Sequence, residues 1–296
     1  MGLEATSSER RQAPLKVRSV AVGQPLVWLA AGWRDMRANP IASLSYGLLF
    51  AIFGDLITIF AWRQGHLFIA ATSGFLLIAP MLCGGLYEIS RRRQAGQSST
   101  FLESLAGGRR NARELIKLGL LLAIIGLCWE RVSTLLFLVL APHIPPDLLI
   151  LLAEMPKLPE NRDLMIIWLM SGGSLALLVF AITVVSVPLL LDRQVDFIVA
   201  MRTSLSAVDA NIRLMVFWAT LVATLTVLGI GTLFFGLIVL MPLIGHASWH
   251  AYRDLVEQRA ASDHPDSQTA RQPDASPARN KRSALGEHPP LHPRNP

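Results

Sequence analysis

The sequence predicts an all-α membrane protein with six transmembrane helices, arranged as three hairpins, each preceded by a cytoplasmic amphipathic helix. Three observations carry this. Of the 296 residues, 52% are hydrophobic and only 16% are charged, against about 25% charged in soluble domains. The charge is also patchy: it is nearly absent from several runs of about 20 residues, the length that crosses a bilayer core. Finally, Lys and Arg crowd into alternate connections, which is the asymmetry that orients a membrane protein.

The elements follow in order. Residues 1 to 23 are polar, with Pro14 and Gly23 interrupting any pattern, and read as a disordered N-terminal segment. A transmembrane domain over 24 to 256 opens with a short amphipathic helix, 25 to 38. Its apolar face is Leu26, Leu29, Ala30 and Trp33, and Arg34, Asp35 and Arg37 are polar. Such a helix lies in the membrane interface. The first span covers about 41 to 62 and the second about 67 to 90, with Pro80 inside it. A second amphipathic helix, about 101 to 114, leads into the third span, about 116 to 141. A Pro-rich, acidic loop from 142 to 163 precedes the fourth span, about 164 to 191, which carries Pro188. A third amphipathic stretch, 197 to 210, leads to the fifth and sixth spans, about 212 to 228 and 232 to 252. A Gly-rich turn, 229 to 231, separates them, and Pro242 lies in the sixth. Residues 257 to 296 are rich in Pro, Ser, Ala and Arg and read as a disordered cytoplasmic tail.

Basic residues set the orientation. Arg10, Arg11, Lys16, Arg18, Arg34 and Arg37 precede the first span, and seven Lys or Arg from Arg91 to Lys117 separate the second from the third. Arg193, Arg202 and Arg213 lie between the fourth and fifth. The opposite side has only Arg63, Lys157 and Arg162. Both termini are therefore expected in the cytoplasm of a bacterial inner membrane. The net charge of +6 is assigned to contact with anionic lipid. No basic motif with interleaved aromatics points to nucleic acid.

A weak internal repeat supports the three-hairpin reading. The stretches 33 to 39 (WRDMRAN), 105 to 111 (LAGGRRN) and 205 to 211 (LSAVDAN) each end an amphipathic helix on Asn before a hairpin. The second helix of each hairpin carries Pro80, Pro188 or Pro242. These prolines are candidate kinks, because a membrane helix tolerates Pro where its neighbours satisfy the freed carbonyl.

Charge inside a span is costly, so Asp55, Glu130 and Arg131 are candidate site residues. Asp55 continues a small-residue face with Gly47 and Ala51, and Glu130 continues a stripe with Gly119, Ala123 and Gly126. Pairing of Asp55 or Glu130 with Arg131 to fix helix register is one reading. A proton or ion path through them is another. His246 and His250, four residues apart, share one helix face, a spacing that suits a metal or haem. Asp192 and Asp196 fall on the same side of the membrane and are the candidate residues to complete such a site. The alternative is two polar side chains bonding to headgroups or loops. No HExxH is present, which excludes a zinc-hydrolase reading. Cys83 and Cys128 lie in apolar runs without CxxC spacing and read as small core residues.

The strings at 33 to 54 (WRDMRANPIASLSYGLLFAIFG), 185 to 211 (VSVPLLLDRQVDFIVAMRTSLSAVDAN) and 236 to 256 (GLIVLMPLIGHASWHAYRDLV) resemble a prokaryotic integral-membrane family of unknown function. Some of its members carry a cytochrome c oxidase subunit label. The resemblance implies a bacterial multi-span protein over about 20 to 256 and no particular activity. Catalytic oxidase chemistry needs several His ligands, whereas only His246 and His250 of the seven His lie near the membrane body.

The resulting expectation is a non-enzymatic scaffold, assembly factor or simple permeation module, without a cofactor. Its partners are the lipid bilayer and other membrane proteins or further copies of itself. A transporter or channel using Asp55, Glu130 and Arg131 is one alternative. A metal- or haem-binding accessory of a respiratory complex is the other.

Overall fold

The computed structural model describes residues 14–63, 65–140 and 162–257, and all of them belong to one unit that ends at Glu257. Residues 142–161 of the expected loop and the C-terminal tail beyond 257 lie outside the described residues, and Arg162 and Asp163, expected in that loop, begin a helix. Within the described residues the regular structure is helical, apart from one isolated bridge between Val17 and Val256.

The helices are α1 (Gln24–Ala38), α2 (Pro40–Ala61), α3 (Gly65–Leu82), α4 (Gly84–Gln94), α5 (Phe101–Leu105), α6 (Ala112–Leu140), α7 (Arg162–Thr183), α8 (Ser186–Asp192), α9 (Phe197–Ala210), α10 (Ile212–Gly231) and α11 (Leu237–Leu255). A 3-10 turn, Ala106–Asn111, joins α5 to α6. Local chemistry sets several of these starts. Pro40 occupies the first turn of α2, where its missing N–H costs nothing. Thr100 and Glu103 form a reciprocal capping box on α5. Asp196 accepts from the backbone N–H of Ile198 and caps α9.

Five stretches are long and apolar enough to cross a membrane: Pro40–Ala61, Leu67–Gln94, Phe101–Leu140, Arg162–Asp192 and Ile212–Gly231. The expected sixth span, α11, is not among them. Its first turns are apolar, but its second half reads HASWHAYRDL. The physical reason is its position. Most of α11 is buried, with α1, α2 and α4 packed around it, so its polar residues meet protein rather than lipid. The turn before it also differs from expectation: α10 runs through the glycines to Gly231, and the chain reverses over 232–236 with Leu233 and Phe234 at positive φ.

Small residues let the helices approach. A Cβ at Gly47 would overlap the carbonyl of Ile238, the group that Pro242 on α11 leaves without its helical partner. Gly74 and Gly126 face each other where α3 crosses α6. The indole N–H groups of Trp129 and Trp168 donate to Ser73 Oγ and Ser133 Oγ, both at 2.7 Å, and tie α6 to α3 and to α7. Gly32 lets α1 approach the α11 backbone, since a Cβ there would lie 2.7 Å from the nitrogen of Ala247.

The prolines act differently from one another. Pro80 precedes a break at Cys83 that separates α3 from α4, and Pro188 sits in the first turn of α8, after a break at 184–185. Pro242 lies within an unbroken α11.

Two expectations need correction. Residues 14–20, read as disordered, run along the end of α11: Arg18 N–H donates to the Leu255 carbonyl at 2.8 Å, and Glu257 N–H donates to that of Lys16 at 3.1 Å. Asn211 holds the same segment, accepting from Val20 N–H and donating to the Arg18 carbonyl, both at 2.9 Å. Cys83 is buried as expected, but Cys128 is exposed.

Candidate functional site

The ionic groups that pack together do so at one end of the bundle, where the C-terminal half of α11 meets α1, α4 and α8. Asp35 is the hub. Its helix presents two faces. Leu26, Val27 and Trp33 are exposed, while Trp28, Ala31, Gly32, Asp35 and Met36 are buried, with α1 packed on α11. The polar residue of the amphipathic pattern thus points inward.

Asp35 receives bonds from three side chains on two helices. Ser90 Oγ on α4 donates to Asp35 Oδ2 at 2.6 Å, His250 Nε2 on α11 lies 2.9 Å from the same oxygen, and Arg93 pairs with Oδ1. His246, fully buried, extends the chain. Its Nδ1 is 2.8 Å from Ser90 Oγ and its Nε2 is 2.9 Å from Ser43 Oγ on α2. The single proton of Ser90 goes to the carboxylate, so Ser90 can only accept from His246. For a neutral ring this places the proton on Nδ1, and Ser43 then donates to Nε2. The bonds run one way: Ser43 to His246 to Ser90 to Asp35. Burial alone pushes the Asp35 carboxyl up, but the hydrogen bonds from His250 and Ser90, with the nearby imidazoles, hold it below its ordinary value of 3.8.

A second carboxylate, Glu88, is fully buried on α4 and surrounded by cations. Arg91 Nε, Arg92 Nε and Arg110 Nη2 lie 2.7, 2.8 and 2.7 Å from it. Arg91 and Arg110 each bind with two nitrogens, the planar fork that suits a carboxylate. Gly107 makes room, because a Cβ there would lie 2.7 Å from Glu88 Cγ. Two further acids complete the layer. Tyr252 OH donates to Asp192 Oδ2 at 2.6 Å, with Arg193 and Arg253 at 3.8 Å. Asp254 Oδ2 accepts from Trp28 Nε1 at 2.7 Å and from Gln24 Nε2 at 3.0 Å.

His246 and His250 therefore do reach one place, but Asp35 meets them there and not Asp192 or Asp196. Asp192 belongs to Tyr252, and Asp196 caps α9. Among the described residues no three His, Cys, Asp or Glu side chains converge so as to hold a metal ion. The intramembrane candidates lie apart from this layer. Arg131 pairs with its sequence neighbour Glu130 at 3.2 Å, with its side chain 81% exposed, and Thr134 donates to Glu130 at 3.2 Å. That pair sits on one helix and joins no two elements. Asp55 is half-buried on α2, and no ion pair joins it to another described residue.

Sequence reasoning missed Asp35, Ser90 and Glu88. One signal for Glu88 was present: Arg91 and Arg92 follow it at i+3 and i+4, the spacing of facing charges on a helix.

Five apolar helices long enough to cross a bilayer, with a charged layer at one end, define a multi-pass integral membrane protein. Residues 67–192, from α3 to α8, match the model of a family described as "Predicted integral membrane protein (DUF2189)", whose function is unknown. The match takes in Glu88 with its three arginines and the first residues of the second string quoted above. No curated protein and no solved structure matches the chain.

Proposed function

We propose that this is a non-enzymatic scaffold of the bacterial inner membrane, with six spans in three hairpins and both termini in the cytoplasm. In this reading α2 and α3, α6 and α7, and α10 and α11 are the hairpins, and α1, α5 and α9 lie on the membrane surface ahead of them. The exposed apolar residues of those three helices support it: Leu26 and Trp33, Leu102 and Leu105, Ile198 and Leu205. The gathering of Arg at the charged end supports the orientation. Packing inside the bundle would let α11 cross the membrane with a lower hydropathy than its neighbours.

One observation carries the scaffold role. Asp35, Glu88, Asp192 and Asp254 each bond to a partner on another element. The charge of this layer is committed to joining helices, not held open toward a cavity. The test is ion and proton flux in proteoliposomes, comparing the unmodified protein with Asp55→Asn, Glu130→Gln and Arg131→Gln. The scaffold reading predicts no flux above empty vesicles in any sample. Flux that disappears in Glu130→Gln would establish a permeation path instead. Labelling of single cysteines at position 37 and position 160 tests orientation, with the first expected to react only from the cytoplasm and the second only from outside.

A further inference from the structure

Three elbows in the chain, at Asn39, Asn111 and Asn211, each lie just before a long apolar helix, α2, α6 or α10. Arg34 and Arg37 precede the first, and Arg109 and Arg113 flank the second. All four are exposed, and their side chains make no hydrogen bond or ion pair with another described residue.

The third elbow differs. Two residues before the Asn, where the others have Arg37 and Arg109, it has Asp209. The segment 14–20 docks here instead. Asn211 Nδ2 donates to the Arg18 carbonyl, and its Oδ1 accepts from Val20 N–H, both at 2.9 Å. This brings Arg18 to the elbow that carries Arg213, two residues past Asn211. Both arginines are exposed, and their side chains also lack a partner among the described residues.

The acids of this end are mostly engaged. Asp35, Glu88, Asp192 and Asp254 bond to other elements. Glu103 and Asp196 cap helices, and Glu114 holds Lys117. Asp209 and Glu257 remain, both exposed, and no ion pair joins either to these arginines. An anion to meet the six guanidinium groups must come from outside the described residues. The neighbouring side chains indicate its source. Ile41, Ile116 and Ile212, in the first turns of the three long helices, stand exposed. Apolar side chains at this level set the arginines at the boundary of hydrocarbon and water, where a long cationic side chain reaches lipid phosphates.

We propose that each elbow holds the phosphate of one anionic phospholipid of the cytoplasmic leaflet, three per chain, and that segment 14–20 supplies the third site with a cation its own helix lacks. The inference rests on the surface placement and orientation proposed above, and adds the lipid class and the residues that select it. A zwitterionic head is held less, because its ammonium group offsets the phosphate. Asp209 makes the third site the weakest.

The experiment is native mass spectrometry of the full chain in mild detergent, titrated with phosphatidylglycerol and, separately, with phosphatidylethanolamine. The expected result is three phosphatidylglycerol molecules bound in steps, and several-fold weaker binding of phosphatidylethanolamine. A basic residue near an anionic surface is worth about fivefold in affinity, so losing two should weaken one step about 25-fold and spare the others. The three paired variants are Arg34→Gln with Arg37→Gln, Arg109→Gln with Arg113→Gln, and Arg18→Gln with Arg213→Gln. Asp209→Asn should tighten the weakest step several-fold. Melting temperature in detergent should be unchanged in all four, which separates lost binding from a lost fold. Equal binding of the two lipids would overturn the proposal, as would paired variants that bind phosphatidylglycerol like the unmodified protein. The cysteine labelling at position 37 reports orientation by itself, so a wrong orientation and absent lipid sites are read apart.

Discussion

At the charged end of the bundle Asp35 is 5% exposed and Glu88 0%, each held by several partners. In the spanning half, Ile59, Phe60, Leu127, Leu138 and Leu169 stand exposed, and only 22% of the apolar window of α10 is buried in protein. The first region closes on itself, and the second is finished by lipid. Apolar surface needs no partner of its own in a bilayer, so helix association there falls to close backbone contacts such as Gly47 on Ile238 and Gly74 on Gly126. A buried carboxylate has no such freedom, and without its cations it must lose its charge or its fold.

The contrast can be broken most severely at Glu88. Glu88→Leu leaves Arg91, Arg92 and Arg110 facing one another, and removing one partner of a buried ion pair costs about 3–5 kcal/mol. The expected result is a large fall in melting temperature in detergent, or failure to accumulate. On the other side of the comparison, Gly47→Val forces α2 away from α11 at a cost of about 1–3 kcal/mol, with helical content retained. His246→Ala unties Ser43 from Ser90 and leaves both hydroxyls buried, and a loss of about 1–3 kcal/mol is expected from the same melting curves. Asp55→Asn and Arg131→Gln should shift stability by less than about 0.5 kcal/mol, because neither joins two helices among the described residues.

The pH response sharpens the difference further. Asp35 is held below 3.8 in the folded protein, so it stabilises the fold above that value and the contribution fades as pH falls through and below it. Melting temperature should drop in acid, and Asp35→Asn should flatten that drop while lowering stability at pH 7. An acid profile unchanged by Asp35→Asn would place the titrating group elsewhere. Metal analysis of the purified protein adds a further check. The closed network predicts no stoichiometric metal, and a metal lost in His246→Ala would make Asp35 a ligand rather than a hub.

How much of this the sequence reveals depends on the range of the interaction. Apolar runs and flanking arginines are local features, so the five spans and the charged end are legible from composition. The elbows are legible too, since Asn39, Asn111 and Asn211 each fall just before a long apolar helix. The network is not. Asp35 reads as the polar face of an amphipathic helix until α4 and α11, 55 and 215 residues away, are placed against it. Glu88 is masked by the arginines beside it, which read as a topology signal. Asp55 and Glu130 show the opposite case: each stands out by sitting in an apolar run, yet among the described residues neither binds across helices. Residues 14–20 look disordered because a single extended strand is recognisable only by the Leu255 and Asn211 groups that hold it.

The most direct test is a double-mutant cycle on Glu88 and Arg110, the ion pair that ties α4 to the turn before α6, read as unfolding free energy in detergent. If this layer is a closed network that joins helices, Glu88→Gln and Arg110→Gln are each strongly destabilising, and the double variant loses much less than the sum of the two. Losses that simply add would show that the two side chains act independently, and would contradict the account.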